Sequence, residues 1–194
     1  MATPQEILQF WLHDVEPEGW YKHDDALDAQ IRERFMGDWA AAKEGRYALW
    51  LTSPEGVLAY SILLDQFPRN MFRGEAKAFS TDRLALSAVK QAIHRGWDLK
   101  ISEPARQFFY MPLMHSENLC DQDRCVRLMK ERMPEGGDGN LLHAKVHREV
   151  IRQFGRFPYR NEALGRKFTA AETAYIAAGG YGETLRTLQG PQAA

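Results

Sequence analysis

Apolar residues recur at helical spacing along most of the chain, and this pattern constrains the fold more than any other feature of the sequence. The segment that follows Asp24 has an apolar side chain at every fourth position: Leu27, Ile31, Phe35 and Trp39. No stretch combines the alternation of apolar and polar residues with the β-branched enrichment that is typical of a strand. We therefore predict an all-α fold in which antiparallel helical hairpins pack as a bundle or as a stack.

Capping signals predict where several helices begin. Thr3 with Glu6, and Thr169 with Glu172, are capping boxes, in which a hydroxyl and a carboxylate three residues later satisfy backbone N–H groups. We also expect Ser116 to cap a helix that runs to about residue 133.

Proline and glycine predict where the helices end. A buried helix over 57–67 should end at Pro68, because proline has no N–H and restricts the residue before it.

A chain of 194 residues with 44% hydrophobic residues can bury one core. We predict a single helical domain over 1–178 and, after a Gly-Gly pair, a flexible tail over 179–194.

Charge and hydropathy exclude several classes of protein. The net charge is −1, so there is no overall field to attract nucleic acid or an anionic membrane. The longest apolar run, 57–64, is much shorter than the ~20 residues that a membrane-spanning helix needs. The first residues do not resemble a secretion signal, so we expect a cytoplasmic protein.

Residues 141–168 hold seven Lys or Arg and two Glu, a local charge of +5 that favours the binding of an anion. Because this segment lacks a surface pattern of aromatic and basic residues, we do not expect RNA to bind there.

A short motif occurs twice. Residues 67–70 read Phe-Pro-Arg-Asn and residues 157–161 read Phe-Pro-Tyr-Arg-Asn, each after an apolar helical stretch that contains Gln-Phe. Arg and Asn provide donors for an anion or an amide, and Pro stiffens the turn that holds them. The alternative is that these arginines pair with carboxylates and stack on aromatic rings to hold helices together. The predicted ligand-binding residues are Asp65, Gln66, Arg69, Asn70, Arg73, Tyr110, Arg156, Tyr159, Arg160 and Asn161.

Histidines supply the candidate catalytic residues. His115 or His147 could carry a proton, with Glu117 as an orienting carboxylate. His143 and His147 are four residues apart, a spacing that can bind a metal on a helix. The residues between them lack the Glu of a zinc protease motif and include Lys145, so we predict no metal and no cofactor.

Two classes of function remain open. The chain has no Gly-x-Ser-x-Gly elbow, no phosphate-binding loop and no dinucleotide fingerprint, which excludes the common hydrolase, nucleotide hydrolase and dehydrogenase designs. The first class is a binding protein for a small anionic molecule or an acidic peptide. The second is an enzyme in which His115 or His147 is a general acid or base, Glu117 or Asp65 orients it, and arginines hold an anionic substrate.

Three stretches carry a resemblance to a known family. Residues 64–74 read Leu-Asp-Gln-Phe-Pro-Arg-Asn-Met-Phe-Arg-Gly, residues 109–117 join Phe-Tyr-Met-Pro to His-Ser-Glu, and residues 154–161 read Phe-Gly-Arg-Phe-Pro-Tyr-Arg-Asn. Together they resemble the bacterial domain of unknown function nine hundred twenty-four, over nearly the whole chain. The resemblance implies an all-helical fold similar to tetratricopeptide-repeat proteins, with stacked helical hairpins, and it implies no activity, cofactor or substrate. The sequence itself has no clear 34-residue repeat, so this stacking rests on the resemblance alone.

Overall fold

A computed structural model describes residues 1–190, and within that range every regular element is helical, which confirms the all-α prediction. The α-helices are α1 (Pro4–Gln9), α2 (Glu16–Gly19), α3 (Asp25–Lys43), α4 (Pro54–Ser61), α5 (Phe67–Met71), α6 (Asp82–His94), α7 (Met111–Met114), α8 (Leu119–Arg132), α9 (Asp138–Phe154), α10 (Ala170–Ala177) and α11 (Gly180–Gln189). Short 3₁₀ segments lie at Ala48–Thr52, Ala76–Phe79, Asp98–Lys100, Ala105–Phe109 and Pro158–Arg160, and π-helical segments at Phe10–Asp14 and Ile62–Gln66.

The chain divides into two compact units, unit 1 (Met1–Pro112) and unit 2 (Leu113–Ala194). The single domain over 1–178 and the tetratricopeptide-like stacking stay predictions. None of the described helices has both the length and the apolar character that crossing a bilayer requires. The cytoplasmic location also stays a prediction.

Aromatic side chains form much of the core of unit 1. The rings of Phe35 and Phe67 stack with their centroids 4.9 Å apart, and Trp11 meets Phe67 edge-on at 5.5 Å. Ile31, Phe35 and Trp39 are buried, as their spacing in the sequence predicts. This core fixes α3 against α5, the helix that contains the first copy of the motif.

Pro68 does not end the helix, contrary to the prediction. The chain widens into the π-helical turn Ile62–Gln66 and continues as α5, with Pro68 in its first turn. Because Pro68 has no N–H, the carbonyl of Leu64, four residues earlier, needs another donor. The hydroxyl of Thr81 donates to it at 2.7 Å. This hydrogen bond ties the start of α6 to the turn that a local reading of the sequence expects to be a helix end.

Both predicted capping boxes are confirmed. In the first, the Thr3 hydroxyl accepts from the Glu6 N–H and the Glu6 carboxylate accepts from the Thr3 N–H at 2.7 Å. Thr169 and Glu172 make the same pair of bonds at the start of α10. These bonds are local in sequence, and this is why the pattern alone predicts them.

Helices α8 and α9 pack against each other in unit 2 and are joined by the short connection 133–137, which makes them a hairpin. Ser116 is not the cap of α8, contrary to the prediction. Asn118 is the cap, because its side-chain oxygen accepts from the N–H groups of Cys120 and Asp121. The Ser116 hydroxyl instead donates to the Asp121 carboxylate at 2.8 Å.

The segment after the Gly-Gly pair is helical and not frayed. Gly179 and Gly180 adopt positive φ angles of 106° and 53° and turn the chain from α10 into α11. Helix α11 packs on α9, where Tyr181 contacts His143 and His147. The sequence gives no local sign of this docking, so the tail prediction is wrong for 180–189, and the rest of the predicted tail, 191–194, lies outside the described residues.

Candidate functional site

The first copy of the motif binds a carboxylate of α3. Arg73 donates to both oxygens of Asp28 at 2.9 Å, and Asn70 donates to Asp28 Oδ1 at 2.8 Å. Partial burial would raise the pKa of the Asp28 carboxyl, but the hydrogen bonds from Arg73 and Asn70 outweigh burial and hold the pKa below its ordinary value. These contacts lock α5 to α3.

The other polar residues of this copy also have protein partners. Gln66 Nε2 donates to Asp65 Oδ2 at 2.6 Å, and Asp65 is fully buried. Arg69 Nη1 lies 3.4 Å from Asp65 Oδ1, and the same guanidinium contacts both oxygens of Asp82 at 3.0 Å. Arg69 therefore bridges two carboxylates, one on each side of the Pro turn. Ligand binding by these residues stays a prediction.

Several carboxylates that bind the predicted residues are distant in sequence. Tyr110 is fully buried and donates to Asp98 Oδ2 at 2.6 Å, across twelve residues. Asp82 lies thirteen residues from Arg69, and Asp28 lies 45 residues from Arg73. No local pattern marks these carboxylates, and sequence reasoning missed all of them.

The second copy of the motif, in unit 2, is held in the same way. Arg156 donates to the two oxygens of Glu172 at 2.6 and 2.8 Å, and its Nη2 also donates to the carbonyl of Lys167. The hydrogen bond from Arg156, with that from the backbone of Thr169, holds the pKa of Glu172 well below its ordinary value. This pair ties the end of α9 to the start of α10.

Glu117 positions the second motif. It accepts two hydrogen bonds from Arg166, at 2.7 and 2.9 Å, and a third from the backbone N–H of Phe157 at 2.8 Å. Partial burial would raise the pKa of Glu117, but the bonds from Arg166 outweigh burial and lower it. These contacts give Glu117 a structural task, and its predicted role in catalysis stays a prediction.

The remaining predicted residues of unit 2 lie around a group of aromatic and imidazole rings, here named the His–Tyr cluster: His115, His143, His147, Tyr159 and Tyr181. The Tyr181 hydroxyl is 2.6 Å from His143 Nδ1 and 3.4 Å from His147 Nδ1. The ring of His115 is 6.2 Å from that of His147, and Tyr159 meets Tyr181 edge-on at 6.3 Å. The sequence predicted His115, His147 and Tyr159, and it missed Tyr181, which belongs to the segment that was expected to be a tail.

His147 is the electrostatic centre of this cluster. Removal from water lowers its pKa to about 3, with further lowering by the charges of His115, Arg160 and His143. Its Nδ1 lies 2.8 Å from the carbonyl of His143, and since a carbonyl can only accept, Nδ1 carries the proton. Nε2 therefore has the free lone pair in neutral His147. Phe157 packs edge-on to the ring at 5.4 Å.

Arg160 and Asn161 complete the second copy and are buried. The guanidinium of Arg160 lies 4.5 Å from the centroid of the Phe157 ring, on which Tyr159 also stacks at 5.3 Å. Tyr159 is 42% exposed, so its ring is accessible to a ligand. The cluster thus combines accessible aromatic surface, neutral imidazoles and a buried cation.

Within residues 1–190, one group of side chains has the spacing of metal ligands, namely His23, Asp25 and Asp28. His23 Nε2 lies 3.1 Å from Asp25 Oδ1 and 3.9 Å from Asp28 Oδ2. Asp28 already accepts from Arg73 through both oxygens, and a cation there would meet the guanidinium charge. The group therefore fits a metal poorly.

Comparison with known proteins gives a family and a fold. Residues 7–180 match the family described as "Bacterial protein of unknown function (DUF924)". A solved structure of a protein of unknown function from Agrobacterium tumefaciens is similar, with 40% identity and a TM-score of 0.84 over 91% of this chain and 97% of that one. No curated protein matches the sequence.

Proposed function

Because the chain belongs to this family of bacterial proteins of unknown function, whose description assigns no activity, we propose a function from the site itself: the His–Tyr cluster of unit 2 binds a small anionic molecule. One observation carries the proposal. Burial lowers the pKa of His147 most, and basic groups lower it further: His115 when it is protonated, the guanidinium of Arg160, and His143 when it is protonated. An anion beside this ring is attracted by the Arg160 guanidinium and, once His147 takes up a proton, by the imidazolium as well.

The neighbouring arginines do not provide this field equally. Arg156 and Arg166 are neutralised by bidentate pairs with Glu172 and Glu117. The charge of Arg160 acts on His147 and also on the Glu117 carboxylate, and its guanidinium lies over the Phe157 ring. We assign the anion to Arg160 and the imidazoles because the charge of Arg160 reaches the His147 ring, and we assign Arg156 and Arg166 to the support of the fold.

Anion binding should be coupled to proton uptake. At neutral pH His147 is neutral, because its pKa is about 3. An anion beside the ring favours the charged form and raises that pKa, so the complex takes up a proton that the free protein lacks. In the complex, Nε2–H becomes a donor to the anion while Nδ1–H keeps its bond to the carbonyl of His143.

A second candidate function is catalysis by the same residues. The backbone carbonyl fixes the tautomer of His147, as an orienting group does for a general base, and leaves Nε2 ready to accept a proton. With a pKa of about 3, His147 is a weak base until an anionic substrate raises that value. Binding is therefore the first step in either function, and turnover distinguishes them.

The first experiment is a thermal-shift panel of phosphorylated metabolites, dicarboxylates and acidic peptides. A compound that stabilises the protein is then titrated by calorimetry near pH 7 in buffers of high and low ionisation enthalpy. The proposal expects the measured enthalpy to depend on the buffer, with uptake of up to about one proton per site.

Two variants and a control locate the effect. His147→Asn keeps an N–H donor for the carbonyl of His143 but cannot be protonated, so it should bind more weakly and without proton uptake. Arg160→Met should also weaken binding, whereas Arg152→Met, at an exposed position on α9, should not. A stabilising anion whose affinity neither His147→Asn nor Arg160→Met changes would refute the proposal. A sharply lower melting temperature of ligand-free Arg160→Met would instead make Arg160 a structural strut.

A further inference from the structure

Unit 1 contains a pocket that none of the predicted site residues lines. It lies between α4 and α6 and has a volume of about 140 Å³. Its walls are mainly apolar and include Leu51, Val57 and Ala92, and its polar groups include Tyr60 and Arg95. An apolar concavity with a few converging polar groups is the usual form of a small-molecule site.

The local structure fixes the rim of this pocket. Helix α6 ends in a Schellman motif, in which the N–H of Trp97 donates to the carbonyl of Ala92 at 2.9 Å and the N–H of Gly96 donates to that of Ile93 at 3.1 Å. Gly96 has a φ of 69°, which an L side chain rarely adopts. The motif places Trp97 beside Arg95, with the guanidinium carbon 4.8 Å from the centroid of the indole ring.

Arg95 differs from the arginines of the first motif copy. Arg69 and Arg73 each pair with carboxylates of unit 1. Among the described residues no carboxylate pairs with Arg95, and its guanidinium lies over the indole of Trp97. A guanidinium held on an aromatic ring at the mouth of an apolar pocket is suited to bind a carboxylate from outside the chain.

Tyr60 provides a second polar group of the pocket. It is 6% exposed, and among residues 1–190 its hydroxyl has no hydrogen-bond partner. Burial is the only cause that raises the pKa of its phenol, so the hydroxyl keeps its proton and is a donor at neutral pH. The hydroxyl oxygen is not among the buried polar atoms that lack a partner, so water or a ligand can reach it, and Tyr60 lines the pocket.

We propose that this pocket binds a small aromatic carboxylate of one ring, with the ring between α4 and α6, the carboxylate on Arg95 and an acceptor atom near the Tyr60 hydroxyl. The size agrees, because an apolar cavity of about 150 Å³ accepts benzene in another protein. The charge agrees as well, since within residues 1–190 no carboxylate forms an ion pair with Arg95. This site lies wholly in unit 1 and does not depend on the His–Tyr cluster of unit 2.

Calorimetric titration with benzoate tests the proposal, with 4-hydroxybenzoate, benzyl alcohol and acetate as comparison probes. Benzoate should bind more tightly than benzyl alcohol, which lacks the charge, and than acetate, which lacks the ring. Arg95→Met keeps the apolar stem and should weaken benzoate binding about twofold to fivefold, because Arg95 is exposed and water screens its pair with a carboxylate. Arg83→Met, an exposed position on the same helix, should leave it unchanged.

Tyr60→Phe separates a ligand contact from a structural one. Because the hydroxyl has no hydrogen-bond partner in the described part of the chain, its removal should leave the melting temperature of the ligand-free protein unchanged or raise it. It should weaken 4-hydroxybenzoate more than benzoate, which has no second acceptor for the hydroxyl. Binding should also change the tryptophan fluorescence, and Trp97→Phe should abolish that change. Equal affinity of benzoate for the wild type and Arg95→Met, or no binding of benzoate at millimolar concentration, would overturn the proposal.

Discussion

The pKa of His147 leads to a prediction about acid stability. In the folded protein removal from water lowers this pKa from 6.5 to about 3. Between these two pH values the unfolded state carries the proton and the folded state does not, so acid favours unfolding. The stability that neutral His147 contributes is complete above about pH 6.5 and is lost as the pH falls.

The magnitude follows from the difference in bound protons. One proton taken up only on unfolding changes the free energy of unfolding by about 1.4 kcal/mol per pH unit, or about 2.7 kcal/mol between pH 6.5 and pH 4.5. The side chain of His147 keeps part of its surface exposed to solvent, and water near the ring reduces the free-energy change below about 2.7 kcal/mol. We therefore expect His147 to account for about 1–3 kcal/mol of the acid destabilisation.

The perturbation is His147→Asn, which keeps the donor to the carbonyl of His143 and removes the titrating group. Urea unfolding at pH 7.0, 5.5 and 4.5 gives the free energy of unfolding of wild type and variant, and the variant should lose about 1–3 kcal/mol less between the extremes. His94→Asn, at an exposed position on α6, controls for the loss of an imidazole. Equal losses in wild type and His147→Asn, or a midpoint near pH 6.5 for the His147 ring proton in NMR spectra, would refute the reasoning.

Three further predictions concern the fold. Arg73→Met removes both hydrogen bonds that the guanidinium donates to Asp28 and should lower the free energy of unfolding by about 1–3 kcal/mol. Urea unfolding measures this loss, and a stability within error of the wild type would contradict the prediction. Gly155→Ala, at the end of α9, forces a side chain to adopt a φ of 69° and should lower the free energy of unfolding by about 1–2 kcal/mol. Gly139→Ala lies within α9, has open space around the new Cβ and should raise the free energy of unfolding by about 0.5–1 kcal/mol. Thermal melts should therefore show shifts of opposite sign, and shifts of the same sign would exclude the backbone explanation. Ser61→Ala removes the hydroxyl that donates to the buried carbonyl of Phe108 at 2.7 Å and should lower the free energy of unfolding by about 1–3 kcal/mol. An unchanged denaturation midpoint would contradict this prediction.

The candidate site was only partly predictable from the sequence. His115 and His147 could be selected because imidazoles next to Pro turns and on an amphipathic helix are candidate proton carriers, and their rings lie 6.2 Å apart. Tyr181 was missed because a Gly-Gly pair normally ends ordered structure, whereas here it turns α10 into a helix that docks on α9. Arg95 was missed because the sequence does not show which arginines form ion pairs. Within residues 1–190 the structure pairs Arg69 and Arg73 with carboxylates and pairs none with Arg95.

The sequence by itself determined the features that arise within about one helical turn. The period of the apolar residues required helices, and the pairs Thr3–Glu6 and Thr169–Glu172 fixed two of their starts, because each involves groups three or four residues apart. Tertiary structure alone decided that Arg69 binds Asp82, that Arg73 binds Asp28 and that Arg166 binds Glu117. It also decided how the carbonyl freed by Pro68 is satisfied. Those partners lie 13 to 49 residues away and come together only when helices pack, since packing brings distant groups into contact and buried polar groups must then be paired.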